Sequence, residues 1–227
     1  MTQSILILAA HPDDEVLGCG GTIAKFADEG AIVHVAFLAD GVFSRAGGEA
    51  DQQLELAARH TAARKSCEIL GVKSVSFGDF PDNRMDMTPL LDITQAVEIL
   101  IAKHQPKMVF MHHVGDVNID HRRMHEAVVT ACRPQLGHPV KTLLCFEVPS
   151  STEWQFSGSA PAFTPNWFVD ISTTLERKLA ALEAYSTELR AWPHPRSREG
   201  VEHLAHWRGA TVGVDAAEAF ILGRQLA

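Results

Sequence analysis

Residues 5–10 read Ile-Leu-Ile-Leu-Ala-Ala, and residues 11–15 read His-Pro-Asp-Asp-Glu. The first run is uniformly apolar, which is typical of a short β-strand buried on both of its faces. The abrupt change to a histidine, a proline and three acids predicts that this strand ends in a polar loop. Because strands buried on both faces occur in parallel sheets covered by helices, the stretch predicts an α/β fold.

Strand-like and helix-like segments alternate along the first two thirds of the chain. Short apolar runs predict further strands at residues 32–38, 72–77, 107–111 and 142–148. Amphipathic patterns predict helices at residues 16–29, 51–70, 88–104, 121–132 and 172–186. This alternation predicts a mostly parallel sheet with helices on both faces. Two segments rich in Pro, Ser, Gly and Trp predict long C-terminal loops, at residues 149–166 and 191–200.

Length and composition favour one globular domain spanning residues 1–227. The chain is 46% hydrophobic and 21% charged, and its 20 basic against 28 acidic residues give a net charge of −8. It has no basic cluster, so a nucleic-acid partner is not expected. No apolar run reaches the roughly 20 residues of a membrane span. The start lacks the basic residues of a signal peptide, and the four cysteines are scattered, so a cytoplasmic location is predicted.

The loop after the first strand has the residue types of a metal site. In a parallel sheet, ligands bind outside the carboxyl ends of the strands. His11 and Asp14 could reach one divalent cation there, which would relieve the repulsion among the three neighbouring acids. A carboxylate outside the ligand set could then act as a general base toward water. As alternatives, the acids could simply favour a helix start, and the glycines at 18–21 could bind a dinucleotide, but G-x-G-x-x-G spacing is not met.

A second polar stretch, residues 111–125, follows the fourth strand and reads Met-His-His-Val-Gly-Asp-Val-Asn-Ile-Asp-His-Arg-Arg-Met-His. Either Asn118 or Asp120 could cap the next helix. His121 is predicted as a third metal ligand, which leaves a coordination position open for water. Asp120, its neighbour in sequence, is expected to orient its imidazole. Two histidines at the end of the strand are candidates for substrate contact, His112 and His113.

The run from Ala10 to Glu15, together with Asp120-His121, resembles the PIG-L/LmbE family of zinc-dependent N-deacetylases. The similarity extends over most of the chain, through the glycines at 18–21, Asp40-Gly41 and Arg208-Gly209. The resemblance implies a Rossmann-like three-layer sandwich and removal of an acyl group, usually acetyl, from an amino sugar. It also implies that the zinc ligands are His11, Asp14 and His121. By the same resemblance, Asp13 is the general base and Asp120 supports the histidines.

One position departs from the family pattern. Many members have a histidine three residues before the ligand histidine, where it steadies the tetrahedral intermediate, and this chain has Asn118. An asparagine can donate a hydrogen bond to an oxyanion but supplies neither positive charge nor a proton. His112 or His113 could substitute, so the sequence leaves the general acid open.

The remaining polar loops are expected to recognise the substrate. Arg45 follows the second strand, and Asp82 and Arg84 follow the third, where they could bind sugar hydroxyls or a phosphate. The predicted substrate is a small N-acetylamino sugar or its conjugate, which could be nucleotide-linked. An amidase acting on a larger N-acyl glycoside conjugate and a non-catalytic metal-binding protein stay open as alternatives. Zinc is the expected metal, although iron or manganese could replace it, and a homo-oligomer is compatible with the sequence.

Overall fold

The computed structural model describes residues 3–42 and 49–227. Within these ranges, seven strands form one sheet: β1 (Ser4–Ala9), β2 (Ile32–Ala39), β3 (Ser74–Phe80), β4 (Met108–His112), β5 (Thr142–Phe146), β6 (Trp167–Asp170) and β7 (Ala217–Gln225). The helices of the same ranges are α1 (Asp14–Asp28), α2 (Glu49–Leu70), α3 (Leu90–His104), α4 (Ile119–Ala131), α5 (Leu175–Glu183) and α6 (Arg198–Ala210). None of these helices is both long and apolar enough to cross a bilayer.

The strand order creates a crevice at one edge of the sheet. The order is β3-β2-β1-β4-β5-β7-β6. The first five strands in that order run parallel, whereas β7 is antiparallel to both of its neighbours. The chain winds outward in one direction from β1 and in the other from β4, so the loops that follow these two strands diverge. Ligands of open α/β sheets bind at such a reversal, outside the carboxyl ends of the strands.

Strand β1 is the centre of two hydrophobic cores. Ile5 and Ile7 point to one face of the sheet, where they pack with side chains of α1, α2, α5 and α6. Leu6 and Leu8 point to the other face and pack with side chains of α3 and α4. Because successive side chains of a strand alternate between faces, a strand covered on both sides needs apolar residues at every position. This explains the uniform apolar run that opens the chain.

The structure confirms the α/β fold with a mostly parallel sheet, and all the predicted strands and helices are present with shifted ends. It corrects the C-terminal third. The loop predicted at residues 191–200 ends earlier, because α6 begins at Arg198. Strands β6 and β7 and helix α6 are additions that the sequence does not predict. Strand β6 has only four residues. Helix α6 buries only a narrow stripe of small residues, Val201, Ala205 and Gly209, so its sequence has a weak helical pattern.

Helix α1 begins at Asp14 and is interrupted at Cys19, whose backbone is not helical. The interruption frees peptide N–H groups in the middle of a buried helix. The carboxylate of Glu218, from β7, accepts hydrogen bonds from the N–H groups of Gly21 at 3.0 Å and Thr22 at 2.7 Å. A carboxylate at the N-terminus of the second helical segment also complements its dipole. Glu218 therefore caps the continuation of α1.

Lys178, from α5, completes this arrangement. Its Nζ donates to the carbonyl oxygen of Leu17 at 3.0 Å, on the other side of the interruption. The same Nζ lies 2.5 Å from Glu218 Oε1, and both side chains are 4% exposed. The buried ion pair thus satisfies peptide groups on both sides of the kink and connects α1 to α5 and β7.

Glu218→Ala is expected to lower the free energy of unfolding by about 3–5 kcal/mol, because it leaves the Lys178 ammonium buried without a counter-charge. Urea unfolding followed by tryptophan fluorescence measures this loss. Lys65→Ala is the control, since its ion pair with Glu68 is exposed and should contribute no more than about 1 kcal/mol. Equal losses from the two substitutions would contradict this account of the kink.

Candidate metal centre

The loop after β1 and the start of α4 meet in the crevice. They bring together His11, Asp14 and His121, which are 7%, 1% and 1% exposed. Asp14 Oδ2 lies 3.4 Å from His11 Nδ1 and 3.3 Å from His121 Nε2. One ligand atom from each residue can be chosen so that all three lie within 4.8 Å of one another. Two imidazole nitrogens and one carboxylate oxygen in such proximity could hold a metal ion with a coordination position left open.

A buried carboxylate lies behind each imidazole. His11 Nε2 is hydrogen-bonded to Asp120 Oδ2 at 2.9 Å. His121 Nδ1 lies 3.2 Å from Asp116 Oδ2, an ion-pair contact whose hydrogen-bond alignment is poor. A carboxylate beside one ring nitrogen favours the proton on that nitrogen and leaves the lone pair on the other. By this assignment, the lone pairs of His11 and His121 face Asp14.

The electrostatics of this group fit a divalent cation. Among the described residues, Asp14 Oδ1 and His121 Nε2 are buried without a hydrogen-bond partner. Burial alone would lower the pKa of His121, but the charges of Asp14 and Asp116 outweigh it and raise the pKa to about 9. Burial also acts to lower the pKa of His11, but the hydrogen bonds that the carboxylates of Asp120 and Asp14 accept outweigh burial, so that the pKa of His11 is raised. The site therefore attracts positive charge, and a metal ion would replace protons on the imidazoles.

A second group that could hold a cation is His11, Asp82 and Asp120. Asp82 Oδ1 is 3.2 Å from His11 Nε2. Asp120, however, already accepts backbone hydrogen bonds, from Asn83 to Oδ2 at 2.7 Å and from Met85 to Oδ1 at 3.0 Å. With both carboxylate oxygens engaged, this group supports His11 instead of forming another metal site.

The structure places Asp120 beside a different histidine from the one expected. Its side chain contacts His11, whereas the carboxylate facing His121 belongs to Asp116, which the sequence does not single out. Adjacent residues of a helix point about 100° apart, so Asp120 and its neighbour cannot share a side. Asp116 is fully buried and accepts a hydrogen bond from Thr152 Oγ1 at 2.7 Å. No local motif reveals this contact, because the threonine follows β5 in the chain.

Asp13 lies outside both groups. Its backbone is left-handed, with φ of 115°, and its N–H donates to Glu15 Oε2 at 3.1 Å. The buried Glu15 is itself held by the hydroxyls of Ser66 at 3.0 Å and Tyr185 at 2.7 Å. Asp13 Oδ2 accepts a hydrogen bond from Arg196 Nη1 at 3.0 Å. Burial raises the pKa of Asp13 to about 6, while the charge of Arg196 acts to lower it. The strained backbone turns this carboxylate toward the cleft beside the candidate ligands.

That cleft is polar and has a volume of about 140 Å³. Its lining consists of His11, Asp13, Gly41, Arg59, Asp82, Asn83, Asn118 and Arg196. Two of the predicted substrate residues, Asp82 and Asn118, are therefore at the cleft. Asn118 is also the N-cap of α4, since its side-chain oxygen accepts from the N–H of Asp120 at 2.8 Å. Gly41 has φ of +73°, and a Cβ there would lie 2.8 Å from Arg59 Nη1, so the turn after β2 requires glycine.

The two histidines at the end of β4 do not line the cleft, although His112 Nε2 lies 3.5 Å from Asp14 Oδ2. His112 is fully buried, its Nε2 accepts from the N–H of Ala10 at 2.8 Å, and its ring stacks on His121 at 3.9 Å. His113 Nε2 bonds to the carbonyl oxygen of Pro161 at 2.8 Å and lines a separate cavity of about 540 Å³. The substrate contact of His112 and the proton transfer by His113 stay predictions.

The arginines of the cleft differ from the predicted ones. Arg84 is exposed at the start of a short 3-10 turn, and Arg45 lies outside the described residues. The arginines that line the cleft are Arg59 and Arg196. Arg59 is 6% exposed and pairs with Glu188 Oε1 at 2.5 Å. They come from the middle of α2 and from the loop before α6, so nothing near the metal motif points to them.

Known proteins are similar to this chain in sequence and in fold. The family model PIG-L, described as GlcNAc-PI de-N-acetylase, matches residues 6–132, which include all three candidate ligands. The diacetylchitobiose deacetylase of Thermococcus kodakarensis is 33% identical over 194 residues, covering 82% of this chain and 70% of that protein. The 4-oxalmesaconate hydratase of Pseudomonas putida is 27% identical over 211 residues, covering 85% of this chain and 76% of that protein. The structure of N,N'-diacetylchitobiose deacetylase from Pyrococcus horikoshii matches with a TM-score of 0.79 and 22% identity. The match covers 98% of this chain and 84% of that protein, and so the two share the fold.

Asp116→Asn is expected to weaken zinc binding by about 10- to 100-fold, because the amide no longer orients His121 through a charged contact. Competition with a chromophoric chelator on metal-stripped protein measures the affinity. Asp92→Asn, an exposed substitution in the first turn of α3, is the matched control and should leave it unchanged. An Asp116 variant with the affinity of the control would mean that this carboxylate does not support the site.

Proposed function

The chain belongs to the PIG-L family of GlcNAc-PI de-N-acetylases, and on that basis we propose that it is a metal-dependent hydrolase removing an N-acetyl group from an amino sugar or its conjugate. The observation that carries the proposal is the convergence of His11, Asp14 and His121 beside Asp13. The first three supply ligand atoms, and the fourth supplies a carboxylate outside the ligand group. Zinc suits two imidazoles and one carboxylate, and Fe²⁺ would also fit.

The proposed reaction divides the chemistry among these residues. A divalent cation held by the three ligands would polarise the acetyl carbonyl and lower the pKa of a water molecule. Asp13 accepts a proton from this water as the oxygen attacks the carbonyl carbon. The C–N bond then breaks, and the departing amine takes the proton from Asp13. Acetate and the free amino sugar are the products.

Two features favour Asp13 as the proton donor in the second half of the reaction. His113 is turned away and bonded to the carbonyl of Pro161. Asn118, at the position of the usual family histidine, uses its side-chain oxygen to cap α4. Its Nδ2, which contacts Asn83 Oδ1 at 3.3 Å, is then the donor directed to a substrate oxygen. A single carboxylate would thus act as base and then as acid.

The cleft supports a small polar substrate. Its walls carry carboxylate and amide groups that suit sugar hydroxyls, from Asp82, Asn83 and Asn118. A volume of about 140 Å³ favours an acetyl group over a long acyl chain. The name of the Thermococcus relative supports an N-acetylated amino sugar as the class to test first.

A hydratase is the second candidate, favoured by the Pseudomonas putida relative. The same ligand group and Asp13 could activate water for addition to a carbon–carbon double bond beside a carboxylate. Arg59 and Arg196 in the cleft could bind such a carboxylate. The two candidates therefore share a metal site and differ in what the cleft holds.

Asp13→Asn is expected to reduce acetate release by about 10²- to 10⁴-fold, because the amide cannot accept the proton of the attacking water. Bound zinc should persist, since Asp13 supplies no ligand atom. Acetate release from diacetylchitobiose, free N-acetylglucosamine and nucleotide-linked N-acetylhexosamines is measured together with metal content. Full turnover by the variant would remove Asp13 from the role of base.

The same panel separates the candidate functions. Acetate release by the wild-type chain that disappears on metal removal supports the deacetylase. Conversion of 4-oxalmesaconate without acetate release from any sugar supports the hydratase. Release of longer acids from N-acyl glycosides, in preference to acetate, supports the amidase. Tight zinc binding with no turnover of any substrate would support a non-catalytic metal-binding protein.

A further inference from the structure

We propose that Arg196 is a positioning residue for Asp13, holding one carboxylate oxygen so that the other is presented for proton transfer. This inference rests on the proposed function, in which Asp13 is the base. Arg196 belongs to the loop between α5 and α6, which lies far from the metal motif in sequence. The family model ends at residue 132 and does not include it.

The guanidinium of Arg196 is fixed at two points. Its Nη1 donates to Asp13 Oδ2 at 3.0 Å, and its Nε donates to Ser150 Oγ at 2.6 Å. The planar guanidinium presents its donors in a fixed fork, so two bonds define its orientation. The Arg196 side chain is 25% exposed and that of Asp13 is 4% exposed, so this contact is shielded from solvent on the Asp13 side.

Both loops that meet at Arg196 are themselves anchored. The N–H of Arg196 donates to His194 Nδ1 at 3.1 Å, and the ring of His194 meets that of Trp154 edge to face at 5.7 Å. Ser150 has a left-handed backbone with φ of 67°, and its N–H donates to Glu153 at 2.6 Å. A non-glycine residue in this conformation is held there by its surroundings. The Arg196 guanidinium is therefore a rigid reference point for the cleft.

Asp13 needs such a reference point. Its backbone is fixed by the contact with Glu15, but a carboxylate still rotates broadly about its terminal bond. A cation held by the adjacent Asp14 would also attract the carboxylate of Asp13 as an extra ligand. The bond from Arg196 opposes both movements, because it holds Oδ2 against the guanidinium, and Oδ1 is then the oxygen that would meet the water.

The first test compares Arg196→Gln with Arg196→Lys in the metal-loaded enzyme, using the N-acetyl sugar that the wild type deacetylates. Arg196→Gln should lower kcat by about 10- to 100-fold, the effect of a misplaced catalytic group, with KM changed by less than about threefold. Arg196→Lys should recover part of the loss, since an ammonium can reach Asp13 but cannot also bond Ser150 in the same geometry. The matched control is Arg198→Gln, whose arginine makes ion pairs with Glu176 and Glu183 on the surface.

A double-mutant cycle distinguishes positioning from substrate binding. If Arg196 acts through Asp13, Arg196→Gln should change the residual kcat of Asp13→Asn by less than about twofold. If Arg196→Gln lowers kcat by the same factor in the wild type and in Asp13→Asn, Arg196 does not act through Asp13, and the proposal is overturned. A raised KM with unchanged kcat would show that Arg196 binds the substrate and would likewise overturn it. An unchanged kcat for Arg196→Gln in the wild-type background would overturn it as well.

Urea unfolding of the metal-free protein gives a readout that does not depend on activity. The shifts in midpoint caused by Asp13→Asn and Arg196→Gln should be non-additive, because either substitution removes one charge of the same ion pair. Additive shifts would show that the contact is not made and would overturn the proposal. A wild-type chain inactive on every acetylated sugar contradicts the proposed function, and with it a catalytic role for Arg196. The unfolding cycle still reports separately on the contact.

Discussion

The pairing of each candidate ligand histidine with a buried carboxylate is the constraint on which the rest of the site depends. Asp120 lies behind His11 and Asp116 behind His121. Removing an ionised carboxylate from water costs several kcal/mol unless hydrogen bonds satisfy it. The carboxylate behind His11 is satisfied by peptide N–H groups of the loop after β3, and the one behind His121 by hydroxyls of the loop after β5. The two carboxylates therefore connect the candidate ligand histidines to the loops after β3 and β5.

The scaffold solves a related problem at the start of α1. Helix α1 presents Asp14 at the sheet edge after the short loop that follows β1, and Asp13, the last residue of that loop, has a left-handed backbone conformation. The buried Glu15 stabilises that conformation by accepting a hydrogen bond from the N–H of Asp13. The ion pair of Glu218 and Lys178 stabilises the helix beyond its interruption. Buried polar groups are tolerated when every partner is supplied. Stability and preorganisation of the site consequently come from the same set of buried charges.

The sequence alone predicts the parts of this protein that are local in the chain. The apolar run of β1 and the polar residues after it predict both the fold and the place of the site, and His11, Asp14 and His121 do lie together. What it misplaces is side-chain direction. Asp120 is next to His121 in sequence yet faces His11, because neighbouring helix residues point apart. Asp116 precedes α4 in a loop whose direction toward His121 no local pattern predicts, and the Ser151 hydroxyl that anchors it lies 35 residues away. Arg196 is missed because its partner Asp13 lies 183 residues away.

The candidate ligands and the residues that surround the cleft come from different parts of the chain. The metal group lies wholly within residues 6–132, the part that the family model matches. Arg196 and Ser150 lie beyond it, in the loop before α6 and in the loop after β5, and the two side chains are hydrogen-bonded to each other. Connecting loops vary in sequence more readily than the strands and helices that they join. Relatives named as a deacetylase and as a hydratase are both similar in sequence to this chain, so the scaffold by itself does not decide the reaction.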